Sequence, residues 1–476
     1  MTVVVRMQPL AIPLPAGRPA GLLVAMLTAL ALLAAIWSGL AYENVLTLCA
    51  LGGLGLIALI ALWRWPQAGL AILLVGGVVI PYEIGTGTQT SLNAVFLLAP
   101  VLIVIWAFQR LEAGRDPLES ARRVTLPLQL FAICCILAFV VGLLPWFDVS
   151  AAPWAAQAGA LAIFLFSVGI FFVVQDHCRD LVWLRRMTHL FFLAGLLYLL
   201  PMAFPVLPRL AQPLDGAIGS LFWTWLVALV FGQACGNRHL RVWMSAGLLL
   251  IVALAFYVTA GQGRDWASGW IPPLVAVTVT LLLRFPRTAG LMLVGAGALA
   301  AFQFREISDA LLTADQQYSL STRAAALQVL WQIFQANPVT GFGPANYYHY
   351  THVYPILGWY VDFASHNNYV DVVLQTGLLG LGALVWFFSA LGRWSLRALR
   401  MAGGGFEAGY VLGALGGLAG TLTAAALGDW VLPFVYNVGV KGFPSSILAW
   451  VFLGGLAAVL TVIQRQANAS QVSEHV

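Results

Sequence analysis

The sequence predicts an all-α polytopic membrane protein. Of its 476 residues 61% are hydrophobic and only 9% charged, and the mean hydropathy is +0.89; a soluble domain carries about a quarter of its residues as charges. Apolar runs recur along the chain near the length of about 20 residues that crosses a bilayer as a helix. The basic residues are shared between the connecting segments in a one-sided way, the usual mark of a fixed membrane topology.

Taken in order, the apolar runs lie near 21–40, 45–63, 68–82, 93–108, 127–145, 154–174, 188–204, 221–235, 242–259, 267–283, 288–303, 370–391, 408–427 and 445–463. The third and eighth are short, so about 12 to 14 spans are expected. The first follows Arg6 and Arg18 and mimics a signal peptide. It is long, and further spans follow at once, so it reads as an uncleaved first helix. With the N-terminus in the cytoplasm, 18 of the 23 basic residues fall inside and five outside: Arg209, Arg264, Arg305, Arg323 and Lys441. Every inside segment then holds at least one arginine, and an even span count returns the C-terminus to the cytoplasm.

This map divides the chain into four parts: transmembrane helices over 1–303, one long outer loop over 304–369, further transmembrane helices over 370–463, and a polar, unstructured cytoplasmic tail over 464–476. The loop is too small for a separate domain with a large core and is expected to pack on the membrane part as a lid. Within it "STRAAALQVLWQIFQANP" reads as an amphipathic helix, with Ala326, Leu330, Ile333 and Phe334 on one face, Ser321 as N-cap and Pro338 as the stop.

The outer arginines run against the general charge bias. Arg264 sits in the short turn "TAGQGRDWASGW" between two spans, close to the bilayer, where a planar multi-donor cation suits phosphate oxygens. A pair with Asp265 or contact with lipid headgroups explains it equally. Arg323 opens the amphipathic helix, an unfavourable place for a cation by a few tenths of a kcal/mol, and alone it reads as a surface residue. His366, in "DFASHNNYVDVVLQTGLLG", can exchange a proton near neutral pH. Asn367 can cap the following helix or orient a partner, Ser365 can also cap, and Asp371 lies about one turn on, facing the same cavity. On the local sequence alone "SHNN" is more simply a cap without chemistry. Tyr347 and Tyr348 belong to an aromatic run that fits interface packing first and stacking on sugar rings second. His349 and His352 bring the histidines of this region to three with His366, but no geometry-fixing metal motif accompanies them, so no metal is expected.

No phosphate-binding GxxxxGK[ST] loop occurs, no DxD pair for a nucleotide sugar, and no basic run interleaved with aromatics for nucleic acid. The five cysteines form no CxxC, so neither zinc nor disulfides are expected. The span interiors hold almost no charge, which disfavours an ion-coupled transporter.

Three blocks together resemble the O-antigen ligase and polymerase superfamily of bacterial membrane glycosyltransferases. "VTAGQGRDWASGW" is similar to the family's T-x-S-R-G turn, with Arg264 on its arginine. "STRAAALQVLWQIFQANPVTGFGPANYY" is similar to an arginine, a helix and NP-x-x-G-x-G, with Arg323, Pro338, Gly341 and Gly343 matching. "SHNNYVDVVLQTGLLG" is similar to HN-x-x-L-x(6)-G-x-x-G, with His366, Asn367, Gly377 and Gly380 matching. The blocks cover roughly 259–381 in the family's order; Gln262-Gly263 replaces a small hydroxyl residue before the arginine, and Val370 stands where leucine is common.

The resemblance implies a GT-C-like fold in the bacterial inner membrane with the active site at the periplasmic face. It implies transfer of a glycan from undecaprenyl diphosphate to an acceptor hydroxyl, on lipid A–core in a ligase or on another lipid-linked repeat in a polymerase, without metal or cofactor. Arg264 and Arg323 are then expected to hold the diphosphate, His366 to activate or position the acceptor, and Asn367, Asp371, Tyr347, Tyr348, Gly341 and Gly343 to form the substrate surface. Partners would be membrane lipid and other polysaccharide assembly proteins, not nucleic acid. A lipid-linked glycan exporter and a non-catalytic envelope assembly protein are the competing readings.

Overall fold

Inside a bilayer a chain must satisfy its backbone internally, and a single apolar segment does so only as a helix. The computed structural model describes residues 45–79, 83–85, 91–113, 119–204, 219–263, 265–302 and 314–474, and these are overwhelmingly helical. The expected span 21–40 lies outside the described residues.

Two helices, α1 (Val45–Arg64) and α2 (Pro66–Val79), precede a short antiparallel pair, β1 (Glu83–Gly85) and β2 (Ser91–Asn93), in which Ile84 faces Leu92. Then come α3 (Ala94–Ala113), α4 (Glu119–Val141), α5 (Trp154–His177), α6 (Leu181–Ala203) and α7 (Ser220–Gly236). Next is α8 (Val242–Phe256), which widens into a π-helical turn over Tyr257–Gln262, followed by α9 (Ala267–Arg284) and α10 (Pro286–Phe302). Last are α11 (Ala314–Ala336), the single turn α12 (Tyr347–Tyr350), α13 (Asn368–Met401), α14 (Phe406–Leu427) and α15 (Phe443–Glu474). Among the described residues nine helices are long and apolar enough to cross a membrane.

Expected spans two and three are related by a bend of 113° at Trp65. Pro66 explains it: the residue before a proline is pushed out of the helical region, and the proline offers no N–H to continue the ladder. At 14 residues α2 rises about 21 Å, short of a hydrocarbon core of about 30 Å, so the two helices form one broken or re-entrant unit.

The bundle is organised around α15. Its apolar window is 94% buried, whereas that of α8 is 22% buried and turns side chains such as Leu249 and Leu250 outward. Lipid tails are as apolar as leucine, so close backbone approach between small residues takes over as glue. Gly232 and Gly236 of α7 lie directly against Gly413 and Gly409 of α14. Cys134, Cys135, Cys178 and Cys235 are free thiols.

A second, smaller core sits at one end of the bundle. Val329, Leu330 and Ile333 of α11 meet Phe342, Tyr347, Tyr350 and Ile356, together with Leu374 of α13 and Phe434 of the α14–α15 connection. Of the amphipathic face expected from 321–338, Leu330 and Ile333 are buried and Ala326 and Phe334 partly so, and the segment forms a cap. The helix begins earlier than expected, at Ala314, so Ser321 is interior and not its N-cap. Alanine and glutamine in "ADQQ" extend a helix at little cost. It ends at Ala336, ahead of Asn337-Pro338. The tail also differs from expectation: α15 continues to Glu474, since a helix already nucleated by a buried span propagates cheaply through "RQANASQ".

Candidate functional site

The site is built where α13 begins. Ser365, His366, Asn367 and Asn368 are consecutive, and each does something different. Asn367 is the N-cap: its side chain accepts the N–H groups of Tyr369 at 2.9 Å and Val370 at 3.3 Å, and donates to the Ala426 carbonyl at 3.1 Å. Asn368 is buried and stitches the α14–α15 connection to α13. Its Oδ1 accepts from Val431 N–H at 2.8 Å and its Nδ2 donates to the Leu432 carbonyl at 2.8 Å. Ser365 donates to Asp371 Oδ1 at 2.6 Å. That leaves His366, which is exposed and has φ +53, a left-handed conformation uncommon outside glycine but more often adopted by asparagine, aspartate and histidine than by other residues.

His366 is held from the α14–α15 connection. Nδ2 of Asn437 donates to His366 Nδ1 at 2.9 Å and to Asp429 Oδ1 at 2.6 Å. A carboxylate only accepts, so the Asp429 contact fixes which end of the Asn437 amide is nitrogen. Hydrogen-bond accounting then assigns the lone pair to His366 Nδ1 and, in the neutral ring, the proton to Nε2. Asp429 itself is buried, and its Oδ2 accepts the Phe434 N–H at 2.8 Å. Burial raises its carboxyl above the ordinary carboxylate range, while these hydrogen bonds pull it back down.

Beneath His366 lies a second buried polar group. Asp371 Oδ1 accepts from the Tyr347 hydroxyl as well as from Ser365, and the Tyr347 oxygen accepts the Ser365 N–H at 3.2 Å. Tyr347 is fully buried and Asp371 is 1% exposed. Burial, then the Asp371 charge, push the Tyr347 hydroxyl well above its usual range. Both were expected at the substrate surface. Their burial and mutual hydrogen bond instead make them supports that hold Ser365, and through it the backbone of His366. Asp371 Oδ2 is buried with no partner among the described residues.

Gly341 and Gly343 are likewise occupied by packing. Both are buried with φ of +68 and +84, Gly341 against the backbone of Gly377 and Gly343 against Gly142. Gly377 breaks α13 with φ +67 and ψ −173, a region essentially reserved for glycine, and a Cβ there would lie 2.0 Å from the Val339 oxygen. The glycine pattern therefore docks the 337–343 loop into the kink of α13.

Tyr348 remains partly exposed and stacks on Tyr436, with ring centroids 4.4 Å apart. Burial, then Tyr348 and Asp362, push the Tyr436 hydroxyl up to about 12, so it stays neutral beside His349 Nε2 at 3.0 Å. His349 and His352 flank Asp362, at 3.6 and 3.4 Å, apart from His366. Among the described residues no three of His, Cys, Asp and Glu converge as a metal-binding set.

Arg264 lies outside the described residues, and of Arg323 only the backbone, within α11, is described. Trp266, two residues after Arg264, meets Trp430 edge to face at 5.9 Å, next to Asp429. The residues that sequence reasoning missed are Asp429, Asn437 and Asn368. The signal for the first was a carboxylate directly after an apolar span, in "ALGDWVLPFVYNVG". No protein-family model matches the chain, and no curated protein matches it.

Proposed function

We propose that the chain transfers a glycan from undecaprenyl diphosphate to an acceptor hydroxyl at the periplasmic face of the bacterial inner membrane, in cell-surface polysaccharide assembly. The observation that carries this is His366: exposed, held in a left-handed conformation, and tethered through Asn437 to buried Asp429 at the capped end of an apolar bundle. The support from sequence is the ordered set of three motif blocks containing Arg264, Arg323 and His366. A lipid diphosphate explains why such a site would be built at a membrane surface. The lipid stays in the bilayer while the sugar reaches out under the cap.

In the proposed reaction the acceptor oxygen attacks the anomeric carbon. The bond from that carbon to the diphosphate oxygen breaks, and the diphosphate leaves with the electron pair and takes up the hydroxyl proton. Arg264 and Arg323 offset the charge that accumulates on it, the kind of fixed electrostatic help that often contributes most to catalysis. With Nδ1 accepting from Asn437, the His366 ring carries an N–H on Nε2 and presents it to the site. It positions an acceptor oxygen as a donor and does not take its proton.

The test uses purified protein, a lipid-linked donor and acceptor, and gel analysis of product. His366→Ala should lower turnover by about 10²-fold, the scale of losing the positioning of a reactant. His366→Gln, which keeps a side-chain N–H donor, should recover a substantial part of it. Equal loss in both variants would mean that His366 removes a proton; full activity in both would exclude a catalytic His366 and favour an assembly protein or exporter.

A further inference from the structure

The end of the bundle opposite His366 carries a feature that the proposed reaction does not use. Along α13, Arg393 and Arg397 lie about 24 and 30 Å beyond Gly377 by helical rise. Between this part of α13, the start of α4 and the end of α15 opens a groove of about 970 Å³. Arg122 of α4 faces it from one wall and Arg393 and Arg397 from another, with Gln464 of α15 between them. Among the described residues no carboxylate pairs with any of these three arginines. Trp394 also lines the groove. It is 7% exposed, and its indole N–H is buried without a hydrogen-bond partner among the described residues. A buried donor that finds no acceptor within the protein is costly to keep.

Arg122 also borders a small inner cavity with Arg110, Arg179 and Arg465, whose one carboxylate, Asp176, is already shared by Arg110 and Arg179. The excess of positive charge therefore extends behind the groove. Toward the middle of the bundle the groove turns apolar, where Trp386 and Leu126 are 45% and 38% exposed. General charge bias between the two faces of a membrane accounts for arginines at this end. It does not account for an unpartnered indole N–H among them, nor for an apolar wall that continues the groove along the bundle.

We propose that this groove binds an anionic phospholipid. Its phosphate meets Arg122, Arg393 and Arg397, the buried Trp394 ring turns to bring its N–H to the same oxygens, and its acyl chains run along Trp386 and Leu126. Guanidinium forks and an indole N–H are all donors and match phosphate oxygens. Basic pockets between transmembrane helices take anionic headgroups in this way. A free phosphate would use the donors and leave the apolar half of the groove unfilled.

The experiment is native mass spectrometry of the purified full chain in detergent, supplied with phosphatidylglycerol, phosphatidylethanolamine or inorganic phosphate. Retention of phosphatidylglycerol should exceed that of phosphatidylethanolamine by about tenfold, and Arg393→Gln with Arg397→Gln should abolish the difference. Trp394→Phe, which removes only the N–H donor and some ring area, should weaken retention by a few-fold. Equal retention of the two lipids by the unaltered chain overturns the proposal whether or not the variants fold. So does displacement of the lipid by millimolar inorganic phosphate, which would mark a soluble-anion site.

Discussion

Asp429 and Asn437 act on His366 through hydrogen bonds, and each has a distinct signature when changed. Asn437→Ala frees Nδ1, so the ring can take either tautomer; turnover should fall by about tenfold or more while the protein elutes as before. Asp429 makes a further prediction through its ionisation. Burial raises its carboxyl in the folded state, so the folded protein holds that proton more tightly than the unfolded chain does. Its contribution to stability is fullest at low pH and is lost as pH rises above about 4, the ordinary carboxylate value, through the raised folded one. Thermal melts of the detergent-solubilised protein across this range should show that fall, and Asp429→Asn should make it shallower. Asp371→Asn keeps an acceptor for Tyr347 and Ser365, so it should leave turnover within a few-fold of the unaltered chain, whereas Asp371→Ala strands both donors and should cost about 1–3 kcal/mol of stability.

The start of α13 depends on two local devices, one at each end of its first segment. Asn367 caps it, and Asn367→Ala should cost about 1 kcal/mol, read as a lowered melting temperature. Gly377 ends that segment, where any side chain would collide with the Val339 carbonyl. Gly377→Ala should therefore undock the 337–343 loop and expose the cap to proteolysis between α11 and α13, a larger effect than loss of the cap residue. The sequence pattern of α11 was legible because its apolar positions recur at helical spacing and meet a core; Val329, Leu330 and Ile333 are buried as that spacing requires. Its first turns were not legible, because alanine and glutamine carry no periodic signal.

The two ends of the bundle differ in chemistry, and that difference predicts an orientation. A single cysteine introduced at the exposed Trp359 of the cap should react with a membrane-impermeant maleimide added to whole cells, and one at Arg465 only after the membrane is opened. The reverse pattern would invert the proposed topology and remove the basis for a periplasmic reaction.

Composition and the spacing of apolar runs were enough to specify a multi-pass helical membrane protein and the approximate bounds of most of its helices, because burying a backbone in lipid leaves a chain so few alternatives. The local sequence was enough to name Asn367 as a cap residue, and it offered His366 as a candidate. What it could not assign was which polar residues touch solvent and which lie beneath it. Tyr347 and Asp371 read as surface contacts and prove to be a buried pair, while Asp429 and Asn437, more than 60 residues beyond His366, were overlooked. Only the packing of the α14–α15 connection against the start of α13 decides these roles. A hydrogen bond between residues so distant in the chain leaves no periodicity to read, and burial of a polar side chain is set by the elements that close over it.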